Sequence, residues 1–304
     1  MGKAGFKGFM NPDKPVVMGH EFVCEVLDHG SGCSRSITPG LRVTAMPFMV
    51  GSQGIELLGY SNRFNGAMAE AMLLDESMLL PVPHNVPTDT AALTEPLAVA
   101  IHAVNAAAAG SNCAFAVHGC GPVGLFIIAR LRHVGLGPIM AIDPDVGRRA
   151  FAERLGADLV IAPDADRQAR WWEDQGAALG MSDTPGADAR RPVAFECVGK
   201  AGMLQSVTEQ SPMGTSVIAV GVCMEPDTIT PAYLLMKEMS LRFVFAYNPA
   251  EFQEALAMIA AAPERVAPLV TGHSRLDQVD AVFDRLSSGL GEVKVLIRPQ
   301  ELSR

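Results

Sequence analysis

Apolar positions along this chain keep two rhythms. Between residues 16 and 80 they come in short bursts, as at 22–27 and 68–74, broken by Gly30, Gly32, Pro39-Gly40, Gly51, Gly54 and Gly59. Bursts of that length between glycine and proline predict strands and turns, so this stretch reads as an all-β segment. From residue 88 the bursts lengthen and alternate. Residues 88–109, rich in Ala and Leu, predict a helix with Pro96 near its start. Residues 114–118 predict a strand, 122–134 an apolar helix, Ile139–Ile142 a strand and 148–155 a helix. Further strands are predicted at Leu159–Ile161, 193–197, 216–220 and 241–246, with a helix at Met203–Gln210. Strands alternating with helices mark βαβ units and a parallel sheet. The tail predicts helices at 251–261 and 278–287 and a last strand at 293–297. Residues 164–191 are polar, carry Trp171-Trp172 and show no readable period. Residues 1–15 are expected to be loosely ordered.

Composition narrows the picture. A chain of 304 residues suggests two domains. Hydrophobic residues at 49% and charged residues at 19% fill a globular core and argue against disorder. The net charge is −9 and no Lys/Arg cluster tracks a phosphate backbone, which excludes nucleic acid as a partner. The longest apolar run, 93–104, is broken by Glu95, Pro96 and His102 and falls short of the ~20 residues that cross a bilayer. The first residues lack the apolar core of a signal peptide. Six cysteines (Cys24, Cys33, Cys113, Cys120, Cys197 and Cys223) include no C-x-x-C pair, so neither a four-cysteine zinc site nor a disulfide framework is expected. The expectation is reduced thiols in a cytoplasmic protein.

One loop carries chemistry by its position. Gly119-Cys120-Gly121-Pro122-Val123-Gly124 follows the apolar strand at 114–118 and opens a helix. In such a G-x-G-x-x-G the first glycine makes a tight turn. The second lets backbone approach a pyrophosphate, and the third lets helix pack on strand. The helix N-terminus then offers free N–H groups and its dipole to the phosphates. Asp143 ends the next strand, roughly 20 residues on, where a carboxylate meets the ribose 2′-hydroxyl. A carboxylate there would repel a 2′-phosphate, so the expected cofactor is NAD.

Ahead of that loop stand Gly19-His20-Glu21-Phe22, opening a strand, and Thr94-Glu95-Pro96-Leu97. Histidine and glutamate are ordinary catalytic zinc ligands, and such sites use three protein groups and keep one position open. Taken alone, either motif reads as well as a structural residue.

With the nucleotide loop, these motifs resemble the zinc-type medium-chain alcohol dehydrogenases, in particular the sorbitol, butanediol and threonine dehydrogenase branch. The likeness runs through Pro39-Gly40-Leu41-Arg42-Val43, Asn65-Gly66-Ala67-Met68-Ala69-Glu70 and Glu95-Pro96-Leu97. It continues in Leu155-Gly156-Ala157-Asp158, Phe195-Glu196-Cys197-Val198-Gly199 and Lys294-Val295-Leu296-Ile297. The resemblance implies an α/β protein: a Rossmann doubly wound parallel sheet and a β-rich GroES-like catalytic domain. It places the catalytic domain at 1–100, the NAD-binding domain at 101–265 and a return to the catalytic domain at 266–304. It implies that His20, Glu21 and Glu95 bind one catalytic zinc. It gives Gly119, Gly121, Pro122, Val123 and Gly124 the pyrophosphate, Asp143 the ribose and Arg148 the adenine. Backbone at Gly199, Val220 and Gly221 borders the nicotinamide. The implied reaction is hydride transfer between a secondary alcohol or polyol and the nicotinamide. The strand at 241–246 resembles the edge through which the family dimerises, so a homodimer or homotetramer is expected.

Three departures qualify the resemblance. The family's first zinc ligand is a Cys upstream of Gly-His-Glu, followed by a Ser or Thr that relays a proton. No Cys precedes His20 here, so the catalytic domain is expected to be short at its N-terminus. Cys24 shares a strand face with His20 but stands about 13 Å away, a poor substitute. Residues 46–66 hold no Cys, so no structural zinc is expected, and Leu41 replaces an acidic turn residue. Two alternatives follow: a zinc-free NAD(P)H reductase of the same superfamily, or an NAD-binding pseudoenzyme. Of the other histidines, His102 and His118 are expected in the core or an interface, His29, His84 and His133 on the solvent side, and His273 in a surface loop.

Overall fold

In the computed structural model, residues 10–11, 13–33, 37–51, 54–287 and 291–299 are described. The chain divides into two compact units. One comprises Met1–Ala98, Asn248–Gly289 and Lys294–Arg304; the other comprises Val99–Tyr247 and Leu290–Val293. The return to the first unit, expected at residue 266, comes at Asn248 in this division. There the helix Pro249–Ala261 begins in a capping box: Asn248 accepts from the Glu251 N–H, and the Glu251 side chain accepts from the Asn248 N–H. The expected loose segment at 1–15 falls largely outside the described residues.

The second unit is built on a six-stranded, wholly parallel sheet. Its spatial order is Ser240–Phe243, Ser216–Ala219, Arg191–Glu196, Cys113–His118, Ile139–Ile142 and Leu159–Ile161. The order runs outward in both directions from the adjacent pair Cys113–His118 and Arg191–Glu196. That is the doubly wound arrangement, whose ligand crevice lies at the carboxyl ends of the strands where the order reverses. The central strands are apolar on both faces because both faces are covered: Cys113–His118 and Ile139–Ile142 are buried throughout. Residues 164–191, unreadable by period, contain the helix Ala165–Asp174, capped by the Asp164 carboxylate on the Arg167 N–H. Trp171 and Trp172 close one sheet face with Ala114, Ala116, Met140, Ile142 and Ala194.

The first unit is β-rich and irregular. Cys24–Glu25, Arg42–Ala45 and Leu79–Pro81 form an antiparallel sheet, Phe48–Gly51 and Gly54–Leu57 a hairpin, and Val270–Arg275 and Lys294–Arg298 a parallel pair. Three expectations are corrected here. Residues 68–74 make no strand ladder; the amides of Ala67 and Met68 instead bind the carbonyls of Gly19 and Met18. The helix expected at 88–109 is two, Thr88–Ala91 and Thr94–Ala106. His273 lies on the strand Val270–Arg275 and not in a loop, with Nε2 2.7 Å from the Asp89 carboxylate. Phe22, Ala45 and Leu58 form a small core within the unit. Among the described residues no helix is long and apolar enough to cross a membrane.

Candidate metal centre and nucleotide loop

In the first unit, three glycines bring distant segments into backbone contact beside His20. Gly19 sits at φ +96°, and a Cβ there would stand 2.9 Å from the Met68 nitrogen. A Cβ on Gly59 would meet the Gly19 oxygen at 2.8 Å, and one on Gly66 would meet it at 2.5 Å. Side chains are excluded at all three positions, so the segment before His20 is clamped against 59–60 and 66–68. His20 thereby faces Tyr60, ring centroids 5.5 Å apart and tilted by 48°.

Glu95 reaches the same place from the first turn of the helix Thr94–Ala106, where the helix dipole favours a carboxylate. It is buried, with Oε1 3.9 Å from His20 Nε2. One donor atom from each of His20, Glu21 and Glu95 lies within 4.8 Å of the other two. Three points so spaced have a common centre no more than about 2.8 Å from each, so shifts below an ångström reach the ~2.0–2.2 Å bonds of zinc. Burial pushes the His20 pKa down, opposed by Glu21 and reinforced by Lys294, and this favours the neutral imidazole that a metal requires. The donor chemistry, one imidazole and two carboxylates, fits a catalytic zinc. Lys294, from the strand Lys294–Arg298, forms a close ion pair with Glu21 and supplies a cation beside these donors. Burial, and then the charges of Glu95 and Glu21, push the Tyr60 phenol up.

The second unit presents the nucleotide loop at the carboxyl end of Cys113–His118. Gly119 has φ +95°, and a Cβ there would meet Val198 at 2.8 Å. On Gly124 a Cβ would sit 1.9 Å from the Gly119 oxygen, so the third glycine is required for the helix Pro122–His133 to seat. Gly121, by contrast, opens on free space, as a position for phosphate approach must. Pro122 occupies the first helical turn, where its missing N–H costs nothing, and Val123 follows it. Asp143 is buried. Its carboxylate accepts from the Cys120 N–H (2.7 Å) and the Asp145 N–H (2.8 Å), which ties the glycine loop to the end of the next strand. The Arg148 Nε is buried without a hydrogen-bond partner, an orphaned donor at the position assigned to adenine.

Gly199, Val220 and Gly221 meet one another through Glu196. The Glu196 carboxylate accepts from Val198 and Gly199 N–H groups (2.7 and 2.8 Å), and its carbonyl from Val220 and Gly221 (2.9 Å each). A Cβ on Gly221 would stand 2.3 Å from the Gly199 nitrogen. All predicted residues of the nucleotide site thus gather at the carboxyl edge of one sheet, and His20, Glu21 and Glu95 gather in the other unit. Sequence reasoning missed Tyr60, Lys294 and Glu196 as members of these sites. Lys294 had a signal, a charge opening the apolar strand Lys-Val-Leu-Ile; Tyr60 had none.

Residues 3–84 match the family described as alcohol dehydrogenase GroES-like domain, and residues 122–261 match zinc-binding dehydrogenase. Over 298 residues the chain is 29% identical to (R,R)-butanediol dehydrogenase of Bacillus subtilis, covering 95% of this chain and 82% of that one. It is 25% identical to sorbitol dehydrogenase of Ovis aries, covering 94% and 81%. The crystal structure of 2R,3R-butanediol dehydrogenase from Bacillus subtilis superposes with a TM-score of 0.80 at 28% identity, covering 94% of this chain and 81% of that one. With its GroES-like and Rossmann parts both matched in order, the chain is an oxidoreductase of the zinc-type medium-chain alcohol and polyol dehydrogenase family.

Proposed function

We propose that this protein transfers hydride between a secondary alcohol or polyol and NAD, with one catalytic zinc held by His20, Glu21 and Glu95 and no structural zinc. The observation that carries the reading is the convergence of Glu95, from a distant part of the sequence, with the adjacent pair His20 and Glu21, all three donors lying within 4.8 Å of one another. Bound there, zinc would supply Lewis-acid polarisation of the alcohol oxygen, and the nicotinamide would supply the hydride acceptor. His20 would hold the metal through a neutral imidazole, and Glu21 would keep Lys294 on one carboxylate oxygen and offer the other to the metal. Glu95, fixed by its helix, completes the set.

Gly119, Gly121, Pro122, Val123 and Gly124 bind the pyrophosphate through backbone. Asp143 takes the ribose hydroxyls with the lone pairs left by its two backbone donors, and Arg148 lies along the adenine. Gly199, Val220 and Gly221 line the nicotinamide. The Asp143 carboxylate favours NAD over NADP. The relatives named for butanediol and sorbitol support a diol or sugar alcohol as substrate. The free edge of Ser240–Phe243, with Phe243 and Phe245 exposed, supports assembly into a homodimer or homotetramer.

The test is the reduction of NAD and of NADP followed by absorbance, with (R,R)-butanediol, sorbitol and a secondary mono-alcohol, before and after chelation. Turnover with NAD that chelation abolishes and zinc restores is expected. Turnover that survives chelation would instead identify a zinc-free reductase. NAD binding without turnover of any alcohol would identify a pseudoenzyme.

A further inference from the structure

The cavity that His20 and Glu21 line is about 1970 Å³ and open. A three- or four-carbon alcohol fills a small part of it, so shape alone cannot select a substrate. Selection must come from polar groups fixed close to the metal donors. Of the side chains around them, Lys294 is committed to Glu21, and Glu21 and Glu95 belong to the metal. Tyr60 remains. It lines the same cavity and stacks at a tilt beside His20. Among the described residues its hydroxyl has no hydrogen-bond partner, while its backbone N–H is bound to the Leu57 carbonyl at 3.1 Å.

The position is rigid as well as near. Gly59, at φ +81°, places its backbone against Gly19, and the next residue on each side is Tyr60 and His20. The Ser61 hydroxyl then bonds to Glu56 and accepts from the Arg63 and Phe64 N–H groups (2.9 and 3.1 Å), which fixes the turn that follows. A phenol held this way presents an unused polar group one ring away from the donor set. A vicinal diol presents a second hydroxyl one carbon away from the reacting one.

We propose that Tyr60 is the specificity-determining residue of this site, its hydroxyl hydrogen-bonding the second hydroxyl of a vicinal diol while the first lies at the metal donors. The inference rests on the dehydrogenase reading above. It distinguishes a diol from a mono-alcohol of the same chain length, which leaves the phenol unpaired.

The experiment compares the zinc- and NAD-loaded protein with its Tyr60→Phe variant. The kcat/KM ratio of (R,R)-butanediol to the matching secondary mono-alcohol is measured, together with calorimetric binding of both ligands and zinc content. Loss of one neutral hydrogen bond predicts that the diol preference falls about tenfold in kcat/KM and in affinity, with zinc content retained. A Tyr60→Leu variant, lacking the ring, is expected to lose the same preference. Equal losses for diol and mono-alcohol, or an unchanged ratio, would overturn the proposal and leave Tyr60 as a wall for His20. If the unaltered protein turns over neither alcohol, the dehydrogenase reading fails. Calorimetry still decides in that case, because diol-selective binding lost in Tyr60→Phe sustains the Tyr60 assignment and its absence overturns it.

Discussion

Replacing His118 by Met is expected to remove much of this protein's sensitivity to mild acid. His118 ends the central strand Cys113–His118, is buried, and shares by the two-residue period the sheet face of Ala114 and Ala116. Burial alone pulls its pKa from 6.5 down to about 4. The charged residue in register beside it, Glu196, directs Oε1 to the Val198 and Gly199 N–H groups. Above pH 6.5 the imidazole is neutral whether the chain is folded or not, and it contributes no pH dependence. Between pH 6.5 and about 4 the unfolded chain takes up a proton that the folded chain refuses, so stability falls as pH falls. At about 1.4 kcal/mol per pH unit, the cost across that window is about 3 kcal/mol. Methionine has no proton to gain and fills a similar volume. The assay is urea unfolding from pH 7 to pH 4. The protein's two tryptophans, Trp171 and Trp172, both lie in the core of this unit and report its unfolding. Other titrating groups are common to both proteins and cancel in the difference. The variant is expected to gain on the parent progressively below pH 6.5. A parent-to-variant difference that stays flat across the range would refute the reasoning.

Two further outcomes follow from the sites. Gly124→Ala must force apart the 1.9 Å approach of its Cβ to the Gly119 oxygen. About 1–3 kcal/mol of stability and nearly all calorimetric NAD binding should be lost, and NAD affinity within a few-fold of the parent would contradict the packing account. Lys294→Met removes the cation paired with Glu21. Relief of its repulsion toward the metal should tighten zinc binding about tenfold, equivalent to ~1.4 kcal/mol, in a chelator competition; unchanged or weaker binding in a folded variant would count against the donor set.

The Rossmann unit was legible because its strands are buried on both faces. Residues 114–118, Ile139–Ile142 and 193–197 stand out as runs that are apolar but for His118 and Glu196, and they coincide within a residue or two with the observed strands. The β-rich unit was less so. Its strands are two to six residues long, as in Cys24–Glu25, too short to establish a period. Residues 68–74 look like a strand because Met72 and Leu74 are apolar, but those side chains pack against the cluster of Phe22, Ala45 and Leu58 without a ladder. The helix Ala165–Asp174 was hidden because its charged face outweighs the two tryptophans it buries. In the sites, glycine spacing announced the loop at 119–124, since each glycine answers a steric demand within a few residues. The approach of Glu95 to His20 joins segments 75 residues apart, and Tyr60 arrives through the backbone contact of Gly59 with Gly19. Such encounters leave no local trace in the sequence.

The most direct test of the account is the zinc content per chain, measured by elemental analysis after dialysis against zinc-free buffer, for the parent and for His20→Ala and Glu95→Ala. Close to one zinc is expected in the parent and a large loss in both variants, with folding intact by circular dichroism. A parent that retains no zinc, or variants that retain as much as the parent, would contradict the metal centre at His20, Glu21 and Glu95.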